Sequence, residues 1–189
     1  MRHYQASPTL SRQRGMVLIV ALIILMVLTI LGVSGMTTTS LQERMAANEH
    51  DRQIAFQTAE AALRTGENYI QSNSMDPSMF NSTCTGGSGG LCDCSDKTNG
   101  CPIYWSDQSL DVWNSANTNK HVTVQTAFSQ VAAQPMYIIE FLGWVNPPGA
   151  TPGTLPGPGK GDPMMFRVTA LGTGQSPNAK VMLQSTYKK

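Results

Sequence analysis

The sequence predicts an α+β fold: a long N-terminal helix over about residues 16–72, packed on a C-terminal antiparallel sheet with a disulfide-stapled loop. Three observations predict it. No charged residue occurs over 15–42, and no proline occurs between Pro8 and Pro77. Four segments of the second half carry strand patterns, by alternation or by aromatic and β-branched content. All four cysteines fall within residues 84–101, in a glycine-rich run.

The chain has 189 residues, room for one domain and an anchor. Charged residues make up 13%, about half the usual fraction. Of the 13 basic residues, Arg2, Arg12 and Arg14 precede Gly15, and no acid does. A cut after Gly15 leaves 10 basic and 12 acidic residues, a net charge of −2. No nucleic-acid partner is expected, since that needs a basic face.

The first element contains the stretch RQRGMVLIVALIILMVLTILGVSG, residues 12–35. Residues 16–33 are apolar apart from Thr29 and Gly32. At ~1.5 Å per residue, about 20 residues cross a ~30 Å hydrocarbon core. The run is long for the apolar region of a secretory signal. Three readings are open: a signal cut near Val33-Ser34-Gly35, a plain anchor, or a segment cut on its N-terminal side and kept. The basic residues ahead of it place the N-terminus in the cytoplasm.

Residues 37–72 continue the helix. Good helix formers dominate. Leu41, Met45, Ala55, Ala59, Ala62 and Ile70 recur at one-face spacings, broadened by Ile54, Phe56 and Leu63. Glu43, Glu49, Asp51, Arg52, Glu60, Arg64 and Glu67 mark polar faces, with Glu60 and Arg64 in the favourable i,i+4 order. The joined helix reaches up to ~55 residues, or roughly 80 Å, more than one membrane crossing. Gly32, Ser34 and Gly35 are its weak point, where bending or unwinding is expected.

Strands are expected over 121–126, 135–145, 166–171 and 180–187, with Gly172, Gly174 and Pro177 in a hairpin loop between the last two. Residues 146–163, NPPGATPGTLPGPGKGDP, form an exposed connection. Cys92 and Cys94 stand too close to bond to each other without strain. Two pairings remain open: Cys84–Cys92 with Cys94–Cys101, or the crossed Cys84–Cys94 with Cys92–Cys101. The spacing fits zinc poorly, and Asp93, Asp96 and Asn99 lack the EF-hand pattern for calcium; no metal or cofactor is expected. No catalytic constellation emerges. His3 lies in the leader, His50 on the helix, and His121 opens a strand, where a surface or packing role suits it. Trp105, Trp113 and Trp144 are expected in core or interface.

A basic leader ending in glycine, then an apolar helix with a long amphipathic continuation, resembles the type IV pilin class. The run Thr-Thr-Ser-Leu-Gln-Glu-Arg-Met-Ala at 38–46, with Asp51-Arg52, Ala55-Phe56-Gln57 and Ala59-Glu60-Ala61-Ala62, resembles the PilX-type minor pilins of type IV pili. Residues 166–187, FRVTALGTGQSPNAKVMLQSTY, resemble that family's closing strands. The resemblance covers the first ~70 and last ~25 residues and implies a type IV pilin-like fold.

It also implies a mechanism of maturation. A prepilin peptidase cuts between Gly15 and Met16 and methylates the new N-terminus of Met16. The parts are then a removed leader (1–15), a transmembrane and assembly helix (16–36), its amphipathic continuation (37–72) and an exported domain (73–189). The chain is held in the inner membrane, with its C-terminal domain in the periplasm, and then enters the extracellular pilus. Implied partners are the peptidase, membrane lipid, other minor pilins, the major pilin and a tip adhesin. Most pilins carry glutamate as the fifth residue after the cut; here it is Val20. In this respect the chain is similar to the glutamate-lacking tip pseudopilins of type II secretion, and a tip-located initiation complex is expected. The competing class is a bitopic anchored periplasmic binding protein that does not polymerise.

Overall fold

The computed structural model describes residues 15–95, 101, 103–151, 153–159 and 161–189, without the side chains of Thr37 and Thr38. The leader ahead of Gly15, and Asp96 and Asn99 of the calcium pattern, lie outside the described residues. Two compact units divide the chain between Ala47 and Asn48.

Helix α1 covers Met16–Ser72 and is assigned helical through Gly32, Ser34 and Gly35, where the sequence suggested a break. Nothing in the chain stops it before Asn73: proline is absent, and each glycine costs only about 1 kcal/mol. At its far end the last carbonyls are satisfied by a cation. Lys189 Nζ donates to Ile70 O at 2.6 Å and also to the Asn73 carbonyl.

Five strands form one sheet: β1 (Leu91–Asp93), β2 (Val122–Thr123), β3 (Met136–Trp144), β4 (Met164–Thr173) and β5 (Lys180–Lys188). The hydrogen-bonded order is β1-β3-β4-β5, with β2 also on β3. The β2–β3, β3–β4 and β4–β5 pairs are antiparallel, as expected. The correction is β1, which pairs parallel to β3 and makes the sheet mixed. A three-residue strand inside the cysteine-rich loop has no alternation to announce it. The expected strand over 121–126 shrinks to two residues: Val124 N still bonds Pro135 O at 3.0 Å in the same register, but Pro135 has no N–H to return a bond.

The sheet alternates its side chains between two cores. On the helix side, Ala62 and Ile70 pack with Tyr137, Ile139, Phe141, Phe166, Val168 and Ala170. Phe80 packs at tilted angles against both Phe141 and Phe166, with centroids at 5.6 and 5.8 Å, and those two rings meet each other at 5.6 Å. On the other side Ile138 and Leu142 are covered by Cys84, Cys92, Cys94, Tyr104 and Val112, with Trp105 and Trp113 at the margin. Trp144 meets Phe141 edge-on at 5.2 Å. All three tryptophans therefore serve packing.

The predicted apolar face of α1 is half right. Ala55, Ala59, Ala62 and Ile70 are fully buried, but Leu41 and Met45 are 62% and 64% exposed. Both lie ahead of Asn48, where the second unit begins. The buried stripe is made of small residues because the helix backbone comes close to β4. A Cβ on Gly66 would lie 2.6 Å from Val168 Cγ1 and 3.1 Å from Tyr137 Cδ2, and one on Gly172 would strike backbone atoms of Ala55 and Ala59.

Candidate functional site

The residues that sequence reasoning marks for processing and assembly lie at the start of α1. Gly15 directly precedes the helix. Among the described residues, a Cβ built on it meets no atom within 4 Å, so packing within this chain does not require glycine there. Met16, Val20 and Ile24 follow at i, i+4 and i+8 on one stripe. With Val17 and Ala21 they line an apolar groove of about 350 Å³. Val20 is 53% exposed and offers that groove only methyl groups.

The stretch suits a lipid or protein environment without water. Over residues 16–36 no charge interrupts it, and every large apolar side chain is exposed. The hydroxyl of Thr29 donates to Met26 O at 2.7 Å, and that of Thr39 to Gly35 O at 3.1 Å. Bonding to the preceding turn removes the cost of carrying a hydroxyl into an apolar medium. By length and composition this helix is able to cross a membrane.

The cysteines lie in the second unit. Cys84 bonds Cys92 and Cys94 bonds Cys101, with Cα separations of 4.2 and 4.8 Å. The structure thus selects the sequential pairing over the crossed one. The first bond closes a loop that runs on into β1. The second lies beside Glu140, a fully buried carboxylate. Arg167 reaches it with Nε and Nη2, both at 2.7 Å, and its Nη2 is 3.4 Å from Cys101 Sγ. Thr169 Oγ1 adds a third bond to Glu140 at 3.3 Å. The hydrogen bonds to this carboxylate raise the pKa of the Arg167 guanidinium. Cys94, Cys101 and Glu140 bring possible ligand atoms within 4.8 Å of one another. Their chemistry is committed elsewhere, to a disulfide and an ion pair, so the arrangement ties the covering loop to the sheet.

His121, expected to open a strand, directly precedes β2, and its side chain is buried, 2.7 Å from Val112 O. Sequence reasoning missed Glu140–Arg167, whose partners are direct neighbours across β3 and β4. It also missed Asp51, which the helix pattern marks only as a polar position. Asp51 Oδ1 accepts from Gln175 N at 2.5 Å, and its Oδ2 accepts from Ser176 Oγ at 2.6 Å. An acid followed far downstream by a Gly-x-Gly hairpin gives no pairing signal on its own.

A family model described as PilX N-terminal matches residues 14–64. A second, described as Type IV pilus assembly protein PilX C-term, matches residues 49–189. The chain belongs to the PilX family of type IV pilus assembly proteins. The two PilX matches overlap on α1 and run without a gap from residue 14 to 189, across the middle segment that bears no recognisable motif. No curated protein and no solved structure matches the chain. PilX membership assigns the molecule to type IV pilus assembly alongside other pilus components, and its apolar helix fits a membrane anchor of pilin kind.

Proposed function

We propose that this chain is a minor pilin acting in a tip-located initiation complex of the pilus. A prepilin peptidase cuts between Gly15 and Met16 on the cytoplasmic side and methylates Met16. The mature chain waits in the inner membrane with its C-terminal domain in the periplasm, where the two disulfides form. It then leaves lipid for contacts with the helices of other minor pilins, the major pilin and a tip adhesin. The role is structural rather than enzymatic, as family membership suggests.

Val20 carries the tip assignment. A pilin that follows another neutralises that neighbour's N-terminal amine with a carboxylate at this position, and a carboxylate in lipid is costly enough to mark function. Val20 has no such group, so this subunit is suited to a place with no subunit ahead of it. The open space around Gly15 supports processing, because nothing described within the chain asks for glycine there.

Mass spectrometry of the mature N-terminus, with gold labelling of sheared pili, tests both parts. We expect a chain starting at methylated Met16 and label confined to fibre ends. An intact Met1 or a cut near Gly35 would favour a bitopic anchor, and label along the shaft would refute the tip position. Bulky replacements at Gly15 are expected to block maturation, which the shift to a longer chain on a gel reports.

A further inference from the structure

We propose that the cleft between α1 and the β4–β5 hairpin receives an acidic, extended segment of a neighbouring pilus protein. The inference rests on the reading of this chain as a pilus subunit and names one of its contact surfaces. The cleft encloses about 560 Å³ and lies wholly within the second compact unit. Its walls are Asn48, Asp51 and Arg52 on the helix, and Asn178, Lys180 and Met182 on the hairpin.

The walls are fixed. Asp51 binds the hairpin through Gln175 N, Ser176 N and Ser176 Oγ, and its carboxyl group is held below the usual 3.8, chiefly by the Ser176 hydroxyl. Both oxygens of the one acid lining the cleft are thereby engaged. The cations are free by contrast. Among the described residues, neither Arg52 nor Lys180 has an ion-pair or hydrogen-bond partner, and neither does the side-chain amide of Asn48 or Asn178. The other arginines of this unit are paired: Arg64 with Glu60, and Arg167 with Glu140.

Two unpaired cations and two unpaired amides therefore face one cleft, with the half-buried side chains of Val181 and Met182 beside them. The cations call for a carboxylate. The amides both donate and accept, matching a peptide backbone, whereas a phosphate only accepts. The apolar pair suits an aliphatic neighbour of the acid. An exposed ion pair contributes little by itself, but across an interface it sets register and excludes wrong partners.

The test uses the full chain in cells that make the whole pilus system. A photoreactive phenylalanine derivative is placed at Asn178 and, separately, at Asn48 across the cleft. We expect both to label one other pilus protein on a segment containing Asp or Glu. The yield should fall about tenfold in the Arg52→Glu, Lys180→Glu double variant and return when the mapped acid is replaced by lysine. Labelling of lipid, no labelling of a pilus protein, or a yield indifferent to charge reversal overturns the proposal. Maturation at Met16 and piliation are scored in the same cells, and normal values there alongside failed labelling would sink the cleft while leaving the minor-pilin reading intact.

Discussion

Glu140 is the residue whose environment makes the sharpest demand. It is fully buried, and its charge is tolerated because Arg167 meets it with two bonds and Thr169 with a third. Removing one partner strands the other. Arg167→Ala is expected to destabilise the fold by about 3–5 kcal/mol, whereas the joint change Glu140→Leu, Arg167→Met should cost far less. Denaturant unfolding of the three proteins checks this, and equal losses would contradict it. Asp51 makes a different prediction. Its folded pKa is depressed by the Ser176 contacts, so its contribution is present above the unfolded value and lost as pH falls through the folded one. Asp76 and Asp107 are lowered in the same way by Ser78 and Ser109. The thermal midpoint should therefore drop below about pH 4, and Asp51→Asn should flatten part of that drop. Tyr137 acts at the other extreme. Burial, with Tyr69 nearby, pushes its hydroxyl to about 12. Stability from keeping it neutral is complete below the ordinary value of 10 and lost as pH rises through about 12. The phenolate absorbance of the folded protein should show Tyr137 titrating late, with Tyr104, also raised by burial, above the ordinary range.

At the scale of elements, the helix–sheet contact depends on what is missing from it. Gly66→Ala places a methyl group against stiff Val168 and the Tyr137 ring, and should cost about 1–3 kcal/mol despite the better helix propensity. Gly172→Ala meets backbone on α1, which has no rotamer to yield, so its loss should be the larger of the two. Calorimetry orders them; the reverse order would refute this account of the seam. These roles explain which parts of the fold were readable beforehand. The extent of α1 followed from the uncharged run, the lack of proline and the good helix formers over 37–72, because local signals decide it. The cores of β3, β4 and β5 followed from strand patterning. The exposure of Leu41 and Met45 did not follow: helical periodicity continues whether or not a sheet is there to cover it. Nor did the parallel pairing of β1, since three residues tied to β3 by the flanking bonds Ile139 N to Gly90 O and Cys94 N to Phe141 O carry no pattern of their own.

For the whole molecule, the cysteine-rich cover of the sheet is cross-linked by two disulfides. In the chain-entropy account, closing a loop of this length contributes about 2–3 kcal/mol. Cys84→Ser with Cys92→Ser should lower stability by about that amount, and urea titration with and without reductant measures it. The candidate site was legible mainly through resemblance. Gly15, Met16 and Val20 touch almost nothing in the isolated chain, so their meaning lies in other proteins, and geometry within one subunit has little to add. The small-residue seam carries a mechanical consequence. Going forward along α1, Asp51 meets the hairpin, Gly66 meets Val168, Glu67 meets Ser185 and Ile70 meets Lys189. The helix thus runs alongside β5 and opposite to β4. A pull applied along it loads these contacts together, in shear. There is no end at which the seam can be peeled open one bond at a time, and a helix attached in this way resists axial tension far better than transverse force.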